Sequence, residues 1–269
     1  MTTNISYKLT YSFQPEDTRD YICKTIPHPR NNKVKLHETI KKGIKTLKAV
    51  KAPPPIFKIS SLPAIPDQGT LGTCVANSFS FTISKQTNEN LKISRLFLYA
   101  LSRCIDDTPL SQDDGTTVRS TCQAIKQYGA CKETVFPYIT STAFSLPPLE
   151  TFNNSKRFKS FTYLFIKQDL LSIKSALQTY NSPIVFGFMV YQSFMNARNG
   201  LIPMPDVNKE KLLGGHCITI VGYNDTTRMF TCSNNWSTKW GINGYCLIPY
   251  AFILNPKLAS DFCVTTYVY

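Results

Sequence analysis

The sequence predicts an α+β fold of two unlike lobes, and three observations predict it: a length of 269 residues, a large apolar content, and a change from helical to β patterning part-way along the chain. With 42% hydrophobic and 12% aromatic residues the chain can bury a substantial core, which excludes intrinsic disorder, a collagen helix and a coiled coil. Helical periodicity dominates as far as Gly129, and β-rich runs take over after a last helical pattern near Asp169–Thr179. Helices followed by strands, rather than alternating with them, segregate the two kinds of element.

The elements follow in order. Leu36, Ile40, Ile44, Leu47 and Val50 recur at helical spacing with Lys41, Lys42, Lys45 and Lys48 between them, an amphipathic basic helix weakened by Gly43. Lys51-Ala52-Pro53-Pro54-Pro55 ends it, because three prolines favour an extended spacer. Beyond the spacer, helices are expected from near Cys74, from Ser94 to about Arg103, and from Thr117 to Tyr128 with Gly129 as a stop. Ile184–Tyr191, Cys217–Tyr223, Met229–Cys232 and Tyr245–Ile248 read as strands. The expected division is a basic arm over residues 1–56, a helical lobe over 57–166 and a β-rich lobe over 167–269, with no internal repeat.

The net charge of +13 is uneven, since residues 1–60 hold 12 Lys and Arg against 4 Asp and Glu. A basic arm over residues 1–52 offers a surface to nucleic acid or an anionic partner, although the commoner use of a lysine run is a solvated face. No membrane span is expected: the longest uncharged stretch, Ser175–Ala197, is broken by Gln178, Asn181, Pro183, Gln192 and Asn196. The first residues lack the apolar core of a signal peptide, so the expected location is cytoplasmic or virion-associated. Nine cysteines leave at least one thiol over in any intramolecular pairing. No two cysteines form a C-x-x-C and His28, His37 and His216 are mutually remote, so neither a metal nor a cofactor is expected.

Three stretches carry chemistry. In Asp67-Gln68-Gly69-Thr70-Leu71-Gly72-Thr73-Cys74-Val75-Ala76-Asn77 a glycine-punctuated loop runs into a helix with the thiol at the junction, where unpaired N–H groups favour the nucleophilic thiolate. Gly214-Gly215-His216-Cys217-Ile218-Thr219-Ile220-Val221-Gly222-Tyr223 places an imidazole, a possible general base and acid, at the mouth of an apolar strand. Ser233-Asn234-Asn235-Trp236-Ser237-Thr238-Lys239-Trp240-Gly241-Ile242-Asn243-Gly244-Tyr245 holds both tryptophans, which could be plain core packing or could shield a side-chain hydrogen bond from water.

Together these stretches resemble the catalytic segments of papain-like cysteine peptidases, in that family's chain order Gln, Cys, His, Asn, over about Phe57–Tyr269. His216 follows Cys74 by 142 residues and Asn234 by 160, the latter implying insertions between the lobes. The resemblance implies a two-lobed fold, a helical lobe and a β-barrel-like lobe with the active-site cleft between them. It implies a protein or peptide substrate and a thiol endopeptidase working through an acyl-enzyme. Cys74 would be the nucleophile, His216 its proton shuttle, Asn234 the group that orients the imidazole, and Gln68 the side-chain donor of the oxyanion hole beside the Cys74 N–H. Gly115 and Thr116 fall where the family has a Gly-Gly pair that binds substrate backbone, and Thr116 departs from that pattern toward a narrower floor. Gly215 and Trp236 are the other implied substrate-binding positions.

Leu71 and Asp113 stand where the family has two disulfide-bonded cysteines, a joint absence that fits a compartment where thiols stay reduced. Cys-Val-Ala-Asn at 74–77, with Gln14–Tyr21, Pro249–Leu254 and Leu258–Phe262, resembles the variant branch seen in bacteria and some large DNA viruses. The resemblance also implies that residues 1–52 could be an inhibitory propeptide that crosses the cleft backwards, near Thr18–Lys35, or else a permanent part of the enzyme. The rival from another class is a catalytically inactive papain-like module that binds peptides or scaffolds an assembly, its basic arm holding nucleic acid or an assembly partner.

Overall fold

The structure is a computed structural model and describes residues 6–15, 17, 52–87, 91–158, 161–197 and 199–267. The amphipathic stretch Leu36–Val50 and the segment Thr18–Lys35 lie outside the described residues. After the proline spacer comes a short strand, β1 (Ile56–Lys58), and then α1 (Cys74–Gln86), whose residues Cys74 through Ser84 are all buried. A helix buried on every face belongs at the centre of a protein. Ser94 caps α2 (Arg95–Ile105) by accepting the Phe97 N–H at 3.1 Å, and Thr117 caps α3 (Val118–Tyr128) by accepting that of Ser120 at 3.1 Å. Gly129, at φ 81°, ends α3 in a conformation that side chains resist.

A short helix, α4 (Leu149–Ser155), leads to β2 (Phe161–Phe165). Asp169 then caps α5 (Leu170–Tyr180) through the Ser172 N–H at 2.8 Å. The rest is the sheet: β3 (Ile184–Tyr191), the one-turn α6 (Gln192–Met195), β4 (Leu212–Asn224), β5 (Met229–Ser233), β6 (Tyr245–Pro249), α7 (Tyr250–Ile253) and β7 (Ala259–Tyr267). Its order is β2-β7-β3-β4-β5-β6, antiparallel throughout, with β1 also paired to β4.

Two buried clusters correspond to two lobes. Phe79, Phe97, Leu98, Val118 and Ile125 anchor the helical one, whereas Phe186, Phe188, Ile218, Ile220, Phe230 and Ile248 anchor the other. Val185, Cys217 and Cys263 of the sheet reach into the helical cluster, so α1 packs on β4 and the lobes share a seam. The sheet takes β1 and β2 from the two ends of the 57–166 segment, so its strands are not confined to residues after 167.

Four strands differ from expectation: β1 and β2 were not among the expected strands, and β4 and β7 differ for identifiable reasons. β4 begins at Leu212 rather than Cys217, because pairing of Gly214 and Gly215 with Val190 and Met189 of β3 overrides the weak strand preference of glycine. β7 was not predicted; Asp261, at φ 55° beside a register shift against β3, interrupts the alternation that would reveal it.

Among the described residues no disulfide joins the eight cysteines, and seven of them are buried. Alkylation of the denatured protein is therefore expected to label as many thiols without reductant as with it. Additional labelling after reduction would show that bridges exist.

Candidate active site

Cys74 is the first residue of α1, His216 lies within β4, Asn234 follows β5 directly, and Gln68 sits in the loop before α1. All four side chains are fully buried. His216 Nε2 and Asn234 Oδ1 are 2.8 Å apart, while His216 Nδ1 is buried without a hydrogen-bond partner. Trp236 lies over the imidazole, ring centroids 4.8 Å apart, and Phe188 meets its edge at 5.6 Å. Trp240 and Phe194 back Trp236, so an aromatic wall keeps water from the His216–Asn234 bond.

Asn235, adjacent to the candidate orienting residue, ties the site together. Its Nδ2 donates to the carbonyls of Cys74 at 3.1 Å and Cys217 at 2.8 Å and lies 3.2 Å from Ser78 Oγ, linking α1 to β4. Its own carbonyl accepts the Gln68 N–H at 2.8 Å. The Gln68 loop is held from the other side too. Tyr138 Oη donates to the Gln68 carbonyl at 2.9 Å, and Arg95 stacks on the Tyr138 ring while donating to the Asp67 carbonyl at 2.8 Å.

The groove between the lobes is filled by the N-terminal arm. Tyr7 stacks on Trp236 at 4.6 Å, and the Lys8 carbonyl accepts from Gln68 Nε2 at 3.3 Å. Thr10 Oγ1 donates to the Gly72 carbonyl at 3.0 Å, and the Tyr11 N–H donates to the Gly215 carbonyl at 3.0 Å. The Tyr11 side chain is buried, with its hydroxyl bonded to Ser260 Oγ at 2.8 Å and to Asp261 Oδ2. So close is the packing that a Cβ on Gly187 would stand 1.8 Å from the Tyr11 ring, and one on Gly215 1.9 Å from the Tyr11 carbonyl oxygen. Gly115 likewise abuts Thr10, while the Thr116 hydroxyl donates to Asp106 at 2.8 Å. Of the candidate substrate-binding positions, then, Gly115, Gly215 and Trp236 touch the arm, and the Thr116 hydroxyl is committed elsewhere.

The family model described as papain family cysteine protease matches residues 58–257. The chain belongs to the papain family of cysteine proteases. An uncharacterized peptidase C1-like protein of Acanthamoeba polyphaga mimivirus is 35% identical to this protease over 251 residues, which is 83% of this chain and 80% of the relative. Cathepsin B of Dictyostelium discoideum is 25% identical over 214 residues, covering 70% of this chain and 65% of the relative. Among solved structures, that of Xylellain, a cysteine protease from Xylella fastidiosa, matches with a TM-score of 0.82 at 28% identity, covering 98% of each chain. The expected two-lobed α+β papain fold is therefore the fold of this protease.

Burial sets the electrostatics of the protease's groove. It pushes the Cys74 thiol up to about 11, against partial compensation by backbone N–H groups, and pulls His216 down to about 4, against the opposing hydrogen bond to Asn234. Both shifts favour the neutral thiol and neutral imidazole, so the covered groove disfavours a thiolate–imidazolium pair. Among the described residues no group of three or more His, Cys, Asp or Glu side chains could hold a metal ion, and no helix is long and apolar enough to cross a membrane.

Reading the sequence missed Asn235, the Arg95–Tyr138 buttress and the arm residues in the groove. A signal for the last was present: Tyr7, Leu9, Tyr11 and Phe13 alternate with polar residues, the pattern of an extended segment with one buried face. Thr18–Lys35, the segment expected to cross the cleft, lies outside the described residues, and among those described it is Tyr7–Tyr11 that contacts Gln68 and Gly215 in the groove.

Proposed function

We propose that Cys74, His216, Asn234 and Gln68 hydrolyse peptide bonds through an acyl-enzyme, and that residues 6–13 hold the groove closed as an inhibitory arm. The carrying observation is that the groove already binds a peptide backbone, with a carbonyl on Gln68 Nε2 and an N–H on the Gly215 carbonyl. A substrate would take the arm's place. The Cys74 thiol passes its proton to His216 Nδ1, and sulfur attacks the scissile carbonyl, whose oxygen becomes an oxyanion held by Gln68 Nε2–H and the Cys74 N–H. The C–N bond then breaks as His216 returns the proton to the leaving amine. A water deprotonated by the same imidazole attacks the thioester, releasing the acid and restoring the thiol. Asn234 keeps Nε2 engaged so that Nδ1 faces this exchange.

The four intact side chains speak against the inactive peptide-binding module. The test is turnover of fluorogenic peptides together with covalent capture of Cys74 by an epoxide-type thiol reagent; a protein that does neither after the arm is loosened is not a peptidase. Gln68→Ala is expected to lower kcat by roughly 10²–10³, the usual effect of losing one oxyanion donor, and an unchanged kcat would remove Gln68 from the hole. Tyr11→Phe leaves Asp261 and Ser260 without the phenol they bind. It should raise turnover of the full chain by roughly tenfold, the equivalent of a lost buried hydrogen bond to a charged group. Turnover equal to that of the parent chain would show that the phenol does not help retain the arm.

A further inference from the structure

The Leu71–Gly72 peptide unit is gripped at both ends. Its N–H donates to the Asp113 carboxylate, 2.9 Å from Oδ2 and 3.1 Å from Oδ1, and its carbonyl accepts from Gln68 Nε2 at 3.0 Å. The carboxylate is itself held, because Tyr99 Oη donates to Asp113 Oδ1 at 2.6 Å. The same phenol accepts the Gly115 N–H at 3.3 Å, and the fully buried Arg103 donates to the Gly115 carbonyl at 2.9 Å. Asp113 is thus the node where three things meet: the loop that carries Gln68 and precedes Cys74, the Gly115 floor, and a tyrosine from the interior of α2.

We infer that Asp113 is a positioning residue, which orients the Gln68 side-chain amide by fixing the Leu71–Gly72 peptide plane and so does without a covalent cross-link between positions 71 and 113. This rests on the reading of Gln68 as an oxyanion donor. A backbone N–H on a carboxylate is a charge-assisted bond, stronger than one to a neutral acceptor. Without it no other hydrogen bond among the described residues fixes the Gly72 N–H, and the peptide plane is at liberty to turn and withdraw its carbonyl from Gln68. An oxyanion donor displaced by as little as an ångström can lose most of its effect. Lys8 of the arm forms an ion pair with the same carboxylate at 3.1 Å, so in the closed state the arm also rests on the node.

The test uses the full-length chain carrying Tyr11→Ala, in which the arm is loosened, with kcat and KM measured separately on a fluorogenic peptide. Asp113→Ala should lower kcat by roughly tenfold to a hundredfold with KM changed less than about twofold. Asp113→Asn should recover most of that loss, since its Oδ1 accepts the Gly72 N–H while its Nδ2 donates to the Tyr99 oxygen. The decisive readout is the double-variant cycle: Asp113→Ala combined with Gln68→Ala should be no slower than Gln68→Ala alone, because both remove the same donor. A structural role confined to stability would lower the melting temperature without this coupling. Losses that multiply, or a kcat indifferent to Asp113→Ala, overturn the inference. If Asp113→Ala does not fold, Tyr99→Phe, which removes only the supporting hydroxyl, takes its place in the cycle: a lowered kcat that does not multiply with Gln68→Ala supports the inference, and multiplying losses or an unchanged kcat overturn it. An unchanged kcat in Gln68→Ala would fell the oxyanion reading and this inference with it, whereas multiplying losses would fell this inference alone.

Discussion

Cys74→Ala is expected to abolish peptide hydrolysis and covalent capture while leaving the fold in place. The rate should fall by roughly 10⁴-fold or more, because loss of the nucleophile removes the whole covalent route rather than one stabilising contact. The fold should survive. Cys74 is fully buried at the start of α1, but the groups that place it are backbone atoms: its carbonyl accepts from Asn235 Nδ2 at 3.1 Å, a bond alanine retains. The substitution removes one heavy atom from a packed site, which costs about 1 kcal/mol. Turnover and a thermal melt on the same preparation check both halves, and residual turnover in Cys74→Ala would mean that another group attacks the substrate.

Loosening the arm is expected to have the next largest effect, in the opposite direction. Tyr11→Ala in the full chain deletes a buried ring along with its bonds to Ser260 and Asp261. Truncating a buried aromatic side chain commonly costs about 3–5 kcal/mol, so turnover should rise by roughly 10² or more until the groove is mostly open. Closure should also depend on pH. His216 is held near 4 while covered, against an ordinary value of 6.5. Between those values an opened groove takes up a proton that the closed one refuses, so acid favours opening, progressively from about pH 6.5 down to about 4. Cys74 is held near 11 against an ordinary 9.0, so alkali favours opening across that interval as the open form sheds a proton that the closed form keeps. The arm is accordingly tightest between these windows. The rate of Cys74 capture by a small thiol reagent, corrected for the reagent's own pH dependence, reads this directly. Capture in Tyr11→Ala as slow as in the parent chain would show that the arm does not close the groove.

Helix starts were legible residue by residue. Ser94, Thr117 and Asp169 each cap a helix through an N–H three positions on, an interaction contained within one short stretch of chain. The strands β3, β5 and β6 were legible for a similar reason, since their apolar runs mark a buried sheet wherever it pairs. β7 was not. Its register against both β2 and β3 depends on partners far away in sequence, and Asp261 breaks its pattern. Asn234 was distinguished from Asn235 by its spacing from Trp236, yet the part played by Asn235 was invisible: its side chain reaches partners 161, 157 and 18 residues away.

The sequence by itself therefore determined the α+β class, the main helices, the strands β3, β5 and β6, the family and the four candidate catalytic side chains, because helix caps, apolar periodicity and motif spacing are written in neighbouring residues. Tertiary structure alone decided what occupies the groove and what steadies it. Tyr11 meets the strand residue Gly215 from the far end of the chain, and Asp113 meets Gly72 across two loops. A hydrogen bond between such segments depends on a distance that only the folded backbone sets, so the alternation at Tyr7–Phe13 marks a buried face without naming what covers it, and no local period ties Asp113 to Gly72.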